Sequence, residues 1–172
     1  MGSPTKKHIT GIPAPNFCLP SAHGRVCLSD YSGRWHVVLY FIPRFASSLA
    51  WRGLMALGGL FASLQPRELE VLVIGRGRYL RPATRLATGL GLPFLFLNDT
   101  EGKVSCLYGL EETDIRPSPA VTVLVDKRNR VRYVDVGSPA PDIVDTGELM
   151  RAIERLDFYL PPSPSFDLCI PF

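Results

Sequence analysis

The side chains able to carry redox or nucleophilic chemistry in this chain are its four cysteines, Cys18, Cys27, Cys106 and Cys169. They are too few for a disulfide scaffold, and no two of them make the C-x-x-C spacing of a dithiol motif, so each needs its own reading. Cys18 and Cys27 lie symmetrically about the turn Ser21-Ala22-His23-Gly24, which would make them cross-strand neighbours. Small side chains filling a sheet face is the expected arrangement; a disulfide is the alternative, with demanding geometry. Cys106 is expected as a semi-buried core residue of a short helix, the other reading being a reactive thiol. Ser47 and Ser48 offer hydroxyls, but a serine without a base is unreactive near neutral pH. His8, His23 and His36 lack metal-ligand spacing, so neither a metal nor a cofactor site is expected. Gly75-Arg76-Gly77-Arg78 follows an apolar run, as phosphate loops do, but lacks their full pattern and reads as a turn. Arg76, Arg78, Arg81 and Arg85 read equally as solvated arginines or as a local basic patch.

The elements that must position these groups alternate along the chain. A short extended segment, Pro13–Pro20, and a second short strand, Arg25–Leu28, flank the Ser21–Gly24 turn. His36–Ile42 is a continuous apolar run stopped by Pro43, as a central strand covered on both faces would be. A helix is predicted over Ala46–Leu64, a second buried strand over Leu69–Ile74, and a helix over Pro82–Leu90 with proline in its first turn. Pro93–Leu97 reads as a third strand and Lys103–Tyr108 as a short helix ended by Gly109. Ala120–Val125 and Val131–Val136 flank the turn Asp126-Lys127-Arg128-Asn129 and form a hairpin. Asp145 with Glu148 resembles a capping box, and the helix it starts places Leu149, Ile153 and Leu156 on one face. The order predicts an α/β fold: a central mixed sheet, helices on both faces and an N-terminal β-hairpin. Residues 1–160 are expected to form one domain, and 161–172 a proline-rich C-terminal tail.

Composition narrows the function classes. The chain has 172 residues, 46% hydrophobic and 20% charged, which suits a globular domain rather than a disordered one. Nineteen basic and sixteen acidic residues leave a formal charge of +3, too small and too scattered for a nucleic-acid partner. Leu49–Leu64 is the most apolar stretch, but Arg52 and three glycines interrupt it, so no membrane span is expected. Met1–Thr10 is not followed by an apolar signal region, and a cytoplasmic setting with free thiols is the expectation.

Three segments carry a resemblance. Ala14-Pro15-Asn16-Phe17 through Tyr31-Ser32-Gly33 to Val37–Pro43 resembles the opening of peroxiredoxins, the alkyl hydroperoxide reductase and thiol-specific antioxidant branch of the thioredoxin-like fold. Asn98-Asp99-Thr100-Glu101-Gly102 with Tyr108-Gly109-Leu110 resembles that family's central segment, and Val123–Lys127 with Val131–Val134 its final hairpin. The resemblance runs from about Ile12 to about Leu156 and implies a redoxin of the antioxidant and oxidoreductase class.

That family places P-x-x-x-T/S-x-x-C at the start of the helix after the central strand. There a helix N-terminus and a cation favour the thiolate that attacks peroxide. This chain reads Pro43-Arg44-Phe45-Ala46-Ser47-Ser48-Leu49-Ala50-Trp51-Arg52. Aligned without a gap, Ser47 takes the hydroxyl position and Ala50 the cysteine position; with one residue deleted, Leu49 takes the cysteine position. Ala120 takes the position of the family's arginine, and Arg116 precedes it across Pro117-Ser118-Pro119. The resemblance therefore implies a degenerate pocket of Pro43, Ser47, Ser48, Leu49, Ala50, Trp51, Arg116, Pro119 and Ala120, with Cys106 the one candidate thiol. Classical thiol peroxidase activity is expected to be weak or missing, and a non-catalytic ligand-binding or protein-interaction domain is the alternative. Cys169 sits where many two-cysteine members carry a resolving cysteine, a role with no first step here. Apolar residues are spread around the Ala46–Leu64 helix, so it must be enclosed or docked. A homodimer contact, which the resemblance implies, and a ligand cleft beside Trp51 are the two expected occupants.

Overall fold

The computed structural model describes residues 11–44, 48–64, 68–78, 80–110, 120–136 and 144–159. The elements run β1 (Cys18–Ser21), β2 (Gly24–Cys27), a 3-10 turn (Leu28–Tyr31), β3 (His36–Arg44), α1 (Ser48–Leu64), β4 (Leu69–Arg76) and α2 (Leu80–Gly89). They continue as β5 (Leu95–Asn98), α3 (Lys103–Leu107), β6 (Val121–Val125), β7 (Val131–Val136) and α4 (Thr146–Tyr159). The strands make one seven-stranded sheet in the order β2-β1-β5-β4-β3-β6-β7. β3, β4 and β5 are parallel, while the β1–β2 and β6–β7 hairpins are antiparallel and close the two sides.

Strand period divides the apolar residues between two layers. Val38, Tyr40, Ile42, Val71 and Val73 point to one face, where Leu54, Leu57 and Phe61 of α1, Ala83 and Ala87 of α2, and Leu149, Ile153 and Leu156 of α4 cover them. Val37, Leu39, Phe41, Leu72 and Ile74 point to the other face, covered by Ala14, Phe17, Leu28 and Val104. Both faces of the central strands are therefore buried, which is why they read as unbroken apolar runs.

Several boundaries differ from the sequence expectation: β4 runs on through Gly75 to Arg76 where a turn is expected, α2 already includes Leu80 and Arg81 ahead of Pro82, and β5 spans Leu95–Asn98 rather than Pro93–Leu97. β3 does not stop at Pro43 but continues to Arg44. Its register with β4 steps from Phe41↔Ile74 to Arg44↔Arg76, so three residues on β3 span two on β4. Proline is tolerated at such a bulge because a ladder donor is already missing there. α1 is described from Ser48, the expected start at Ala46 lying outside the described residues, and its apolar residues are less evenly spread than the sequence suggests. Leu54, Leu57 and Phe61 form a buried stripe, while Met55 is 49% exposed. α4 starts as expected, with the Glu148 N–H donating to Asp145 Oδ1 at 3.0 Å. Among the described residues no helix is long and apolar enough to cross a membrane.

Candidate functional site

The region where the resemblance puts its chemistry lies at the C-terminal end of β3 and the first turn of α1. Pro43 lies in the bulge of β3, one residue before the strand ends at Arg44, and Ser48, Leu49 and Ala50 begin the described part of α1. Trp51 is half-buried and stacked on Phe96 of β5, with ring centroids 6.1 Å apart and planes 25° apart. This contact fixes the first turn of α1 against the sheet. α1 also approaches β3 closely at Gly53, where a Cβ would overlap the Tyr40 hydroxyl. Ala120, at the arginine position, is 8% exposed and belongs to the apolar layer under α1 and α4. Ser47, Arg116 and Pro119 lie outside the described residues, as does Cys169.

Next to this region, Tyr108 is a structural group. Its ring tilts on Phe41 at 5.1 Å and meets Phe17 edge-on at 6.2 Å, and its hydroxyl donates to the Pro15 carbonyl at 2.9 Å. Burial pushes its ionisation well above that of an ordinary tyrosine. Asp99 is 2% exposed and organises α3: Oδ2 accepts from the Ser105 N–H and Oγ, both at 2.8 Å, and Oδ1 from the Val104 N–H at 3.3 Å. Gly102 has φ +68°, and a Cβ there would run into the Arg76 guanidinium, so this glycine leaves room for that side chain. Arg76 is thereby folded against the α3 loop, apart from the exposed Arg78, Arg81 and Arg85. The basic patch read from the sequence loses its first member.

Two cysteine expectations are corrected. Cys18 and Cys27 do not merely fill a sheet face: they form a disulfide, with their Cα atoms 4.0 Å apart. They stand directly opposite in the β1–β2 register, together with Leu19↔Val26 and Pro20↔Arg25. Cys106 is exposed rather than semi-buried, because α3 is a single short turn region that turns Val104 inward and Cys106 and Leu107 outward. Among the described residues Cys106 lies on α3, which makes no extensive contact with α1. The pairing of Cys18 with Cys27 had a sequence signal, their symmetry about the Ser21–Gly24 turn. The placement of Arg76 over Gly102 had none, since it joins residues far apart in the chain.

Comparison with known proteins agrees with this architecture. The profile of the AhpC/TSA family matches residues 10–134. Peroxiredoxin 2 of Caldanaerobacter subterraneus subsp. tengcongensis is 24% identical over 175 residues, covering 94% of this chain and 79% of the relative. Among solved structures, peroxidoxin BcpB from Mycobacterium tuberculosis superposes with a TM-score of 0.72 at 18% identity, covering 88% of this chain and 98% of that one. A putative thiol:disulfide interchange protein DsbE from Chlorobium tepidum superposes with a TM-score of 0.68 at 23% identity, covering 85% of this chain and 96% of that one. The two structural likenesses establish the thioredoxin-like fold.

Proposed function

Because this chain belongs to the AhpC/TSA family, we propose that it is a divergent redoxin whose α1 region has lost the classical thiol peroxidase reaction. The observation that carries this reading is the segment Pro43–Arg52, which contains no cysteine where α1 begins. Peroxide reduction on this scaffold needs a sulfur atom to take the terminal oxygen and be oxidised in its place. Serine and alanine cannot accept that oxidation, and Ala120 supplies no cation for the charge that develops on the peroxide. The remaining surface of Pro43, Ser47, Ser48, Leu49, Ala50, Trp51, Arg116, Pro119 and Ala120 is the degenerate pocket of this proposal. Residues 1–160 are its single redoxin domain and 161–172 its tail. The proposed setting is cytoplasmic.

The test is peroxide consumption by the purified protein with an excess of thiol reductant. The expected rate equals that of the reductant alone and is unchanged in Cys106→Ser. Multiple turnovers above that background, abolished in Cys106→Ser, would replace this reading with a peroxidase that uses the α3 thiol.

A second reading keeps the scaffold as a binding or interaction domain, and the half-buried Trp51 beside the vacated cysteine position favours it. A small ligand or a second copy of this chain is its proposed partner. A ligand-dependent rise in melting temperature, or a dimer mass in sedimentation, supports it.

A further inference from the structure

We propose that Cys18–Cys27 is a thiol–disulfide exchange site, a two-electron redox pair mounted on the edge hairpin rather than at α1. It goes beyond the reading of α1 and does not depend on it. The Leu28 N–H donates to the Phe17 carbonyl at 3.0 Å, which marks 17/28 as a hydrogen-bonded pair of the hairpin. The next pair, 18/27, is then of the non-hydrogen-bonded kind, where facing residues come closest. The Cys27 N–H accordingly points away from β1 and donates to Asp30 Oδ2 at 3.0 Å. Strand period sends Phe17, Leu19 and Leu28 into the core and leaves Cys18, Pro20, Arg25 and Cys27 on the opposite side.

Three consequences distinguish this pair from a structural staple. Both cysteines are half-buried rather than enclosed, so an external thiolate has access. Among the described residues β2 is the outermost strand on its side of the sheet, and none of their strands lies beyond it. The two residues are only nine positions apart, so the loop that the bond closes in the unfolded chain is short and its entropic stabilisation is smaller than that of a bond across a long loop. Arg25 shares the outward side of the hairpin, two residues from Cys27, and the Asp30 carboxylate holds the Cys27 backbone.

The exchange balances as follows. An external thiolate forms an S–S bond with one cysteine sulfur while the Cys18–Cys27 bond breaks and the other cysteine leaves as a thiolate. A second external thiolate attacks the mixed disulfide and releases an external disulfide. The protein gains two electrons and, after protonation, carries two thiols. The reverse sequence, with an external disulfide as oxidant, restores the bond. The required chemistry is that of a thiol, whether a small molecule such as glutathione or a protein dithiol.

Intact-mass analysis of the full chain tests this. Native protein is incubated with reduced glutathione in one arm and with thioredoxin, its reductase and NADPH in the other. It is then quenched in acid and labelled with a maleimide under denaturing conditions. With four cysteines in the chain, the oxidised form takes two labels and the reduced form four. The expected result is conversion to the four-label form within minutes with the circular dichroism of the folded state retained, reversal by glutathione disulfide, and a trapped mixed disulfide in Cys18→Ser or Cys27→Ser. Conversion by glutathione assigns a small-thiol partner; conversion only by thioredoxin assigns a protein dithiol. A two-label form that resists both reductants until denaturant is added would overturn the proposal in favour of a staple. A chain that takes four labels even after glutathione disulfide would overturn it as well. Peroxide consumption is measured separately, so failure here and failure of the α1 reading are distinguishable.

Discussion

At the scale of single residues, the buried and half-buried carboxylates behave according to what each accepts. Asp126 is held by the Arg128 and Arg130 N–H groups on Oδ1, both at 2.9 Å, and by Arg132 Nε on Oδ2 at 2.6 Å, which fixes the β6–β7 turn. Glu70 on β4 is half-buried, and burial pushes its carboxyl above the ordinary value of 4.5. The folded protein therefore holds the Glu70 proton more tightly than the unfolded chain does. Its charged form opposes folding, an effect absent at low pH that grows as pH rises through 4.5 to the raised folded value. Glu70→Gln should melt at a higher temperature than the native chain at pH 7, with the difference disappearing below about pH 4. A melting series across that range checks it; a pH-independent difference would assign the effect to packing. The cysteines mark how far single residues were legible. The Cys18–Cys27 symmetry was visible in the sequence, but choosing between thiols and a disulfide needed the hairpin register. Cys106 was misjudged because composition says that cysteines are buried, whereas the period of α3 decides which side a residue takes.

At the scale of elements, strands and turns were read from apolar runs and punctuation with little error. The errors lie where tertiary packing overrides a local rule. Pro43 should end a strand, but the bulge between Phe41 and Arg44 absorbs it. The glycines of α1 look like defects in an apolar helix, and they are not equivalent. A Cβ at Gly53 would overlap the Tyr40 hydroxyl, whereas at Gly59 it would meet nothing within 4 Å. Gly53→Ala should therefore destabilise the protein by about 1–3 kcal/mol through overpacking. Gly59→Ala should stabilise it by about 0.5–1 kcal/mol through helix propensity. Urea midpoints at constant slope report both, and in a Tyr40→Phe background the Gly53→Ala loss should shrink, since the group it strikes is gone. Equal effects at the two glycines would mean that α1 does not seat against β3 through Gly53.

At the scale of the whole molecule, the sheet, the two hairpins and the helix order follow the AhpC/TSA architecture, while the region around α1 differs from that family's site at more than one atom. This part was only half legible. The missing cysteine can be read from Pro43–Arg52, but what occupies the arginine position depends on the layer that α1, α4 and β6 build together. Ala120 is buried and belongs to that layer with Leu54, Val144 and Leu149, so a guanidinium introduced there starts among apolar side chains. Peroxidase chemistry should therefore not be recovered by restoring the nucleophile alone. Ala50→Cys is expected to introduce a thiol that peroxide oxidises at the rate of an ordinary free cysteine, seen by trapping the sulfenic acid with dimedone. Adding Ala120→Arg should unfold the protein rather than activate it, since an unpaired buried charge costs on the order of 3–5 kcal/mol, a large share of the stability of a domain this size. Urea melts of the two variants beside their peroxide rates separate the outcomes. A folded double variant with rapid peroxide reduction would mean that the site is intact apart from two side chains. Loss of folding in the double variant, with slow oxidation in the single one, would mean that the core has closed over the place where the cation stood.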